Sequence, residues 1–405
     1  MQNRSHAARA GLIFFLLLCS YYILRPVRDE MGIQTGNAKL PWLFTTTFIA
    51  TLILVPVTGW AARSIARRIL VPGAFAFFVL NVLGFYLSFL QGVSSLSAGI
   101  FFVWLSIFNL LAVSLFWSRM GDLFSPDEAK LFYGYVSAGG TIGALVGPLL
   151  TGFLVQTIGI GNLLLISAAM LTTAGALLVG MKSAVSDPAA GIGGEILSGV
   201  KLTLELPLRR LAILVICYST TSTLVYLALL EEVGKTSDGA ARTSYFAYLD
   251  LVTNIVTLII QTFVTARLTR AAGFRTILTA VPGLVALSLI VLILASNLPG
   301  LGGLVSLMTL LAIAQTLNRA GDYALMKPAR EMIYATVDAE RRYKAKSFID
   351  TAVYRACDAA GSWLISAVKA VGASPLIYVG LPIALLWILT GFRAGKAQDA
   401  VQNNP

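Results

Sequence analysis

Residues 98–122 read AGIFFVWLSIFNLLAVSLFWSRMGD. Up to Ser118 the run carries no charge and a single amide, Asn109. It is long enough to cross the ~30 Å hydrocarbon layer of a bilayer, which takes about 20 helical residues. It closes on Arg119-Met-Gly-Asp122, and the same device, Arg319-Ala-Gly-Asp322, stands near the end of a second apolar run, 303–326. A tetrapeptide recurs by chance easily; recurrence at the same end of two equivalent apolar runs is better explained by a duplicated unit.

Outward from this pair, further apolar runs fill the chain. The spans fall at 10–31, 41–62, 70–91, 98–120, 131–156, 161–181, 208–230, 243–266, 276–296, 303–326, 347–369 and 374–393. With 57% hydrophobic and 12% charged residues, a soluble domain could not hide the apolar surface. A membrane barrel would show shorter, alternating segments. The expectation is an all-α membrane protein of twelve transmembrane helices in two pseudo-repeated six-helix bundles. The longest polar connection, with Asp187, Pro188 and glycines 191 and 194, sets the boundaries: residues 1–182 for the N-terminal bundle, 183–207 for a cytoplasmic linker and 208–405 for the C-terminal bundle. The first span is too long and too charged at its far end for a cleaved signal peptide.

Of 30 Lys and Arg residues, most lie in the tails and the even-numbered connections. Lys39, Lys235, Arg242 and Lys369 stand in the odd ones. Basic loops are retained on the cytoplasmic side. The bias therefore places both termini in the cytoplasm of a bacterial-type inner (plasma) membrane. A basic cytoplasmic face suits anionic lipid headgroups, and no soluble domain is present to read nucleic acid. The one histidine, His6, is in the N-terminal tail, and Cys19, Cys217 and Cys357 fall inside spans. Histidine-based catalysis, a zinc centre and a disulfide framework are thus not expected, and neither catalytic residues, a metal nor a cofactor is assigned. Gly194 to Lys201 lacks the strand and the lysine placement of a phosphate loop. An enzyme is not the expectation.

Charges inside spans need compensation, since one at the bilayer centre costs at least ~2.5 kcal/mol. The first span ends SYYILRPVRDEMG, 20–32. Arg25 and Arg28 share a helix face, Arg25 can pair with Asp29 one turn on, and Pro26 frees a backbone carbonyl. With Tyr22 these form one candidate solute site. The eleventh span supplies the other: Asp350, Tyr354 and Asp358 at four-residue spacing, Arg355 beside them, and Lys346 at the cytoplasmic mouth. A polar stripe on such a helix points either into a cavity or to an ion pair with a neighbour. Arg119, Asp122, Asp250, Arg319, Asp322 and Glu331 are candidates for gating or coupling, Asp250 as a proton or sodium carrier. The glycines of the fifth span, among them Gly139, Gly140, Gly143 and Gly147, allow close helix approach.

The connections GWAARSIARRIL, 59–70, and TARLTRAAGFRTIL, 265–278, resemble the basic loop after the second helix of each half in the major facilitator superfamily. Gly134, Gly143 and Gly147-Pro148 resemble the fifth-helix motif of its antiporters. Three longer segments resemble one branch, the nucleotide translocases that exchange ATP and ADP in plastids and obligate intracellular bacteria. They are ILRPVRDEMG, 23–32; SLFWSRMGDLFSPDEAKLFYGYVSAGGTIGALVG, 114–147; and NRAGDYALMKPAREMIYATVDAERRYKAKSFID, 318–350. The resemblance implies a facilitator-like fold and a site for a phosphorylated polyanion. Arg28 would be the basic residue of the first helix, Lys344 and Lys346 the paired lysines before the eleventh, Asp350 the acid after them, and Glu331 the acid of the Lys/Arg-Glu-Met-x-Tyr run. The chain departs from the branch in its seventh helix, uncharged from Tyr218 to Leu230, and at Asp322, where a basic residue is usual.

The reading that follows is a monomeric secondary transporter of a small anionic, phosphorylated solute, with ATP/ADP exchange as its sharpest form. The alternatives are a proton-coupled facilitator for an organic compound such as a drug, siderophore or peptide, and a non-transporting membrane receptor or assembly factor.

Overall fold

A computed structural model of the chain describes residues 2–181, 202–203, 205–236, 238–297, 305–335, 337–338, 341 and 345–403. Most of the 183–207 connection, and Lys344, lie outside the described residues.

Described secondary structure is helical: α1 Gln2–Thr35, α2 Leu40–Ser64, α3 Arg67–Leu90, α4 Ser95–Leu123, α5 Pro126–Val179, α6 Leu206–Val233, α7 Gly239–Ile259, α8 Ala266–Asn297, α9 Leu307–Gly321, α10 Lys327–Tyr334, α11 Tyr354–Ala370 and α12 Leu381–Asn403. Local chemistry sets several starts. Ser94 caps α4 in a reciprocal box with Ser97, and Ser125 caps α5 in one with Glu128, with Pro126 in the first turn. Among the described residues, eight helical stretches are long and apolar enough to cross a membrane. The chain is an integral, multi-pass membrane protein.

The expected break between the runs 131–156 and 161–181 falls at Gly159, whose non-helical φ of 78° and ψ of 166° divide Pro126–Val179 into two helices. Gly273, with φ 70°, does the same inside α8. Only glycine takes that conformation without a Cβ clash. Asp399 of α12 then caps the helix that restarts: its carboxylate accepts from the backbone N–H of Phe274 at 2.8 Å and of Arg275 at 3.2 Å.

Among the described residues, four π-helical segments, Ile260–Thr265, Asp322–Met326, Phe348–Val353 and Leu376–Gly380, interrupt the later helices. A π turn leaves carbonyls in need of other donors. Gln261 and Thr265 supply them, donating to the carbonyls of Tyr323 and Ala324 at 3.1 and 2.8 Å. The tenth span, expected to end at 326, instead runs helically through Tyr334. The polar turn Lys327–Tyr334 stays ordered because Arg330 and Tyr334 are buried.

The helices fall into two compact units. One holds Met1–Asn37, Ile49–Gly193 and Thr236–Leu251; the other holds Ala38–Phe48, Gly194–Lys235 and Val252–Pro405. In the first, α1 is the central helix, with Ala10, Ile13, Leu17, Ile23, Leu24, Val27 and Met31 buried. It lies directly on α5. A Cβ at Gly143 would stand 2.5 Å from the Phe15 carbonyl oxygen, one at Gly147 2.7 Å from that of Cys19, and one at Gly139 would strike the Gly11 carbonyl. The glycine stripe thus lets two backbones touch. Phe14 stacks on Phe116 of α4, centroids 4.6 Å apart. In the second unit, α8 and α12 meet in the same way at Gly391 and Gly395, with Trp387 fully buried. Trp42 packs edge-on against Trp363, whose indole N–H donates to Thr45 at 3.0 Å.

Candidate functional site

In the first unit, the intramembrane charges of α1 collect acidic and basic partners. Arg25 comes within 3.3 Å of Asp250 on α7, so two candidate residues 225 positions apart meet. Arg28 is held by its neighbour Asp29, Nε at 3.0 Å and Nη2 at 2.6 Å from the same oxygen, and lies over the Phe102 ring at 5.3 Å. Arg25 lies over Tyr22 at 5.8 Å. Asp250 and Asp29 are buried, while Arg25 and Arg28 keep 13% and 15% of their side-chain surface exposed. They belong to a half-buried stripe of α1, Phe15, Leu18, Tyr22, Arg25 and Arg28, at helical three- and four-residue spacing. The Thr151 hydroxyl donates to the Ile23 carbonyl at 3.2 Å, next to the ladder interruption at Pro26.

One turn beyond lies a pair that the residue pattern did not single out. Glu30 accepts from Arg242 Nε at 2.7 Å and Nη2 at 2.6 Å, and from Gln34 at 2.9 Å. Gly239 keeps the approach open, since a Cβ there would sit 3.0 Å from Glu30 Oε1. Sequence placed Arg242 in an outer loop; the structure puts it inside α7. The only signal was a glutamate within an apolar helix, which demands a cation without saying which.

In the second unit, Asp358 is buried against α6. Its Oδ1 accepts from Ser219 at 2.6 Å and Thr223 at 3.0 Å, and Oδ2 lies 3.5 Å from Arg355. The polar stripe of the eleventh span therefore divides: Asp350 is exposed, Tyr354 half-buried and Asp358 enclosed. Lys346 and Glu331 form an ion pair at 2.7 Å, and Asp322 lies 3.3 Å from Arg330, both buried. Ser219, Thr223 and Arg330 were not singled out by sequence, because hydroxyl-rich helices and basic helix ends are common without function. Of the repeated device in the first unit, Arg119 donates to the Met181 carbonyl at 3.0 Å and stands 3.9 Å from Asp122. Arg319 is buried in the second.

Apolar helices long enough to cross a bilayer, with charge pairs inside them, define a polytopic membrane protein. The model of the Major Facilitator Superfamily matches residues 10–326, and the chain belongs to that superfamily of transporters. It is not an enzyme. The chain is similar to the ADP,ATP carrier protein 1 of Chlamydia trachomatis, 24% identical over 95% of this chain and 87% of that protein. Among solved structures it resembles the nucleoside transporter NupG, TM-score 0.62, 12% identity, covering 96% and 98% of the two chains. It also resembles a bacterial homologue of the iron transporter ferroportin, TM-score 0.67, 15% identity, covering 96% and 98%. These two likenesses concern the fold.

Proposed function

We propose that this transporter carries a small anionic, phosphorylated solute by alternating access, with exchange of adenine nucleotides as the sharpest form of the reading. The observation that supports it most is the stripe of α1 on which Arg25 and Arg28 keep part of their side-chain surface exposed within an apolar helix. Arginine offers a planar fork of donors that matches phosphate oxygens, and within a low-dielectric slab such contacts are strong. Tyr22, half-buried on the same stripe, provides a flat face for a base. Lys346, Asp350, Tyr354, Arg355 and Asp358, in the second unit, are proposed as further solute-binding residues. Arg119, Asp122, Asp250, Arg319, Asp322 and Glu331 are proposed to set conformational coupling. The likeness to the chlamydial carrier, extending over nearly the whole chain, favours nucleotides over other polyanions.

The accompanying architecture is proposed as twelve crossings in two repeated halves, 1–182 and 208–405, joined by a cytoplasmic linker. The 53- and 59-residue apolar stretches each have length for two crossings, with Gly159 and Gly273 as their break points. Both termini are proposed to lie in the cytoplasm of a bacterial-type inner membrane, and the unit of function to be the monomer.

The test is uptake of labelled ADP or ATP into proteoliposomes containing the purified chain. Saturable uptake driven by internal nucleotide supports the reading. Its absence, with a pH-gradient-driven flux of an uncharged organic solute in its place, overturns it in favour of the proton-coupled alternative.

A further inference from the structure

The apolar stretch Gly239–Asn297 is 59 residues long, against the roughly 20 that one crossing takes, so the chain returns to a membrane surface inside it. The place of return is marked twice. Gly273 breaks the helix, and Arg267, Arg270 and Arg275, the only charges between Leu251 and Asn297, stand around it. The last helix comes back to the same surface. A Cβ at Gly395 of α12 would stand 2.3 Å from the Arg275 Cα, and Asp399 caps the restarted helix through the N–H groups of Phe274 and Arg275. This contact of α8 with α12 brings Arg393 and Lys396 to the arginine cluster, all within the second unit.

Arg267, Arg270, Arg275, Arg393 and Lys396 are exposed, and none of them is ion-paired with a carboxylate of the described residues. Asp399, the one acid of these two segments, has both carboxylate oxygens engaged by backbone N–H groups. Like charges gathered on one surface repel, and an anion lying among them relieves the repulsion. The surroundings are not purely polar. The Arg275 guanidinium lies over the Phe392 ring at 5.5 Å, and Phe392 and Phe263 are exposed, 46% and 56%. Arg267 and Arg270 fold back along their helix, donating to the carbonyls of Phe263 and Ala266 at 3.3 and 3.2 Å, so their heads lie level with the end of the apolar run and not beyond it.

We propose that this junction of α8 and α12 is a binding site for an anionic phospholipid, whose phosphodiester sits between Arg275 and Lys396 and whose acyl chains lie along the exposed rings of Phe392 and Phe263. The inference goes beyond the solute reading above and is independent of which solute is carried. A guanidinium offers a fork of donors to phosphate oxygens, and the ammonium adds a second point of charge. A free phosphate could use the charges, but it has nothing to lay against the rings; a lipid uses both. Basic side chains at the level of an anionic headgroup layer each add to binding, and this cluster is held at that level by the chain's return to the surface. The bound lipid ties the restarted part of α8 to the end of α12, the same two segments that Asp399 joins through the backbone, so the stability of the protein rises with anionic lipid.

The experiment uses the purified full chain in detergent, with dioleoylphosphatidylglycerol, dioleoylphosphatidylcholine or sodium glycerol 3-phosphate added, and reads melting temperature and lipid adducts in native mass spectra. Phosphatidylglycerol is expected to bind and raise the melting temperature. The zwitterionic lipid, and glycerol 3-phosphate, which has the phosphate without the chains, are expected to do neither. In Arg275→Gln with Lys396→Gln the dissociation constant for phosphatidylglycerol rises about thirtyfold, the effect of two basic residues at an anionic surface. Lys130→Gln with Lys235→Gln removes the same charge at exposed positions elsewhere and keeps the native affinity. Equal loss in the two double variants, or no loss in the first, overturns the site and leaves adsorption to a basic surface. Equal stabilisation by phosphatidylcholine or by glycerol 3-phosphate overturns it in favour of an apolar groove or a free-phosphate site. Lys396→Gln alone is the milder change and decides the matter if the double variant folds poorly: about fivefold weaker binding supports the site, and native affinity overturns it.

Discussion

Glu30 and Arg242 are 212 positions apart in the chain and meet in a two-pronged ion pair, Arg242 Nε at 2.7 Å and Nη2 at 2.6 Å from the two carboxylate oxygens. Arg242 Nη1 also donates to the Thr236 carbonyl at 2.5 Å, so the guanidinium fastens the turn before α7 as well as α1. With Glu30 fully enclosed, removal of its partner strands a buried charge.

Arg242→Ala is expected to lower stability by about 3–5 kcal/mol, the cost of orphaning a buried carboxylate. Glu30→Gln with Arg242→Gln, which removes both charges, should recover most of that loss. Melting temperature in detergent reads both. Equal destabilisation by the single and the double variant would contradict the account.

Gly143→Val and Gly147→Val should prevent the contact of α1 with α5, because a Cβ at either site meets backbone atoms at 2.5 to 2.7 Å that cannot yield. Gly134→Ala on the same helix meets nothing within 4 Å and should gain slightly from better helix propensity, by about 0.5–1 kcal/mol. The yield of folded protein and the melting temperature separate the two classes.

Arg28→Lys keeps the charge but loses the fork that grips Asp29 through Nε and Nη2. Arg28→Lys should retain a measurable fraction of nucleotide uptake, with a raised KM, and Arg28→Ala should lose about one to two orders of magnitude, as expected for loss of a charge-assisted contact. Uptake unchanged in Arg28→Ala would remove this residue from the solute site.

Asp358→Asn leaves Ser219 and Thr223 with a neutral acceptor and removes the carboxylate beside Arg355. The expected loss is about 1.5–3 kcal/mol, the range for a hydrogen bond to a charged group. Ser219→Ala combined with Asp358→Asn should cost less than the sum of the two single changes, because the residues share one interaction. A double-mutant cycle on melting free energies measures it.

Much of the fold was legible before any coordinates. The apolar runs need only length and hydropathy to be read, and the glycine spacing of the fifth span announced a close helix contact, though not that α1 is the partner. The break between the runs 131–156 and 161–181 was legible as well, and it falls at Gly159, whose non-helical φ of 78° separates two helices. The helical turn Lys327–Tyr334 was missed because it is polar, and only the burial of Arg330 and Tyr334 explains its order.

The candidate site was legible in residue type and not in partner. The sequence by itself determined that Arg25, Arg28, Asp29, Glu30 and Asp250 are charges inside membrane helices, because a charge within an apolar run must find compensation wherever the chain folds. Only the tertiary structure decided that Arg25 faces Asp250, that Glu30 takes Arg242 and that Asp358 turns to Ser219 and Thr223. Helical periodicity specifies which residues share a face, but which helix lies against that face is settled by packing over the whole unit, and a Coulomb partner about 200 residues away leaves no local mark.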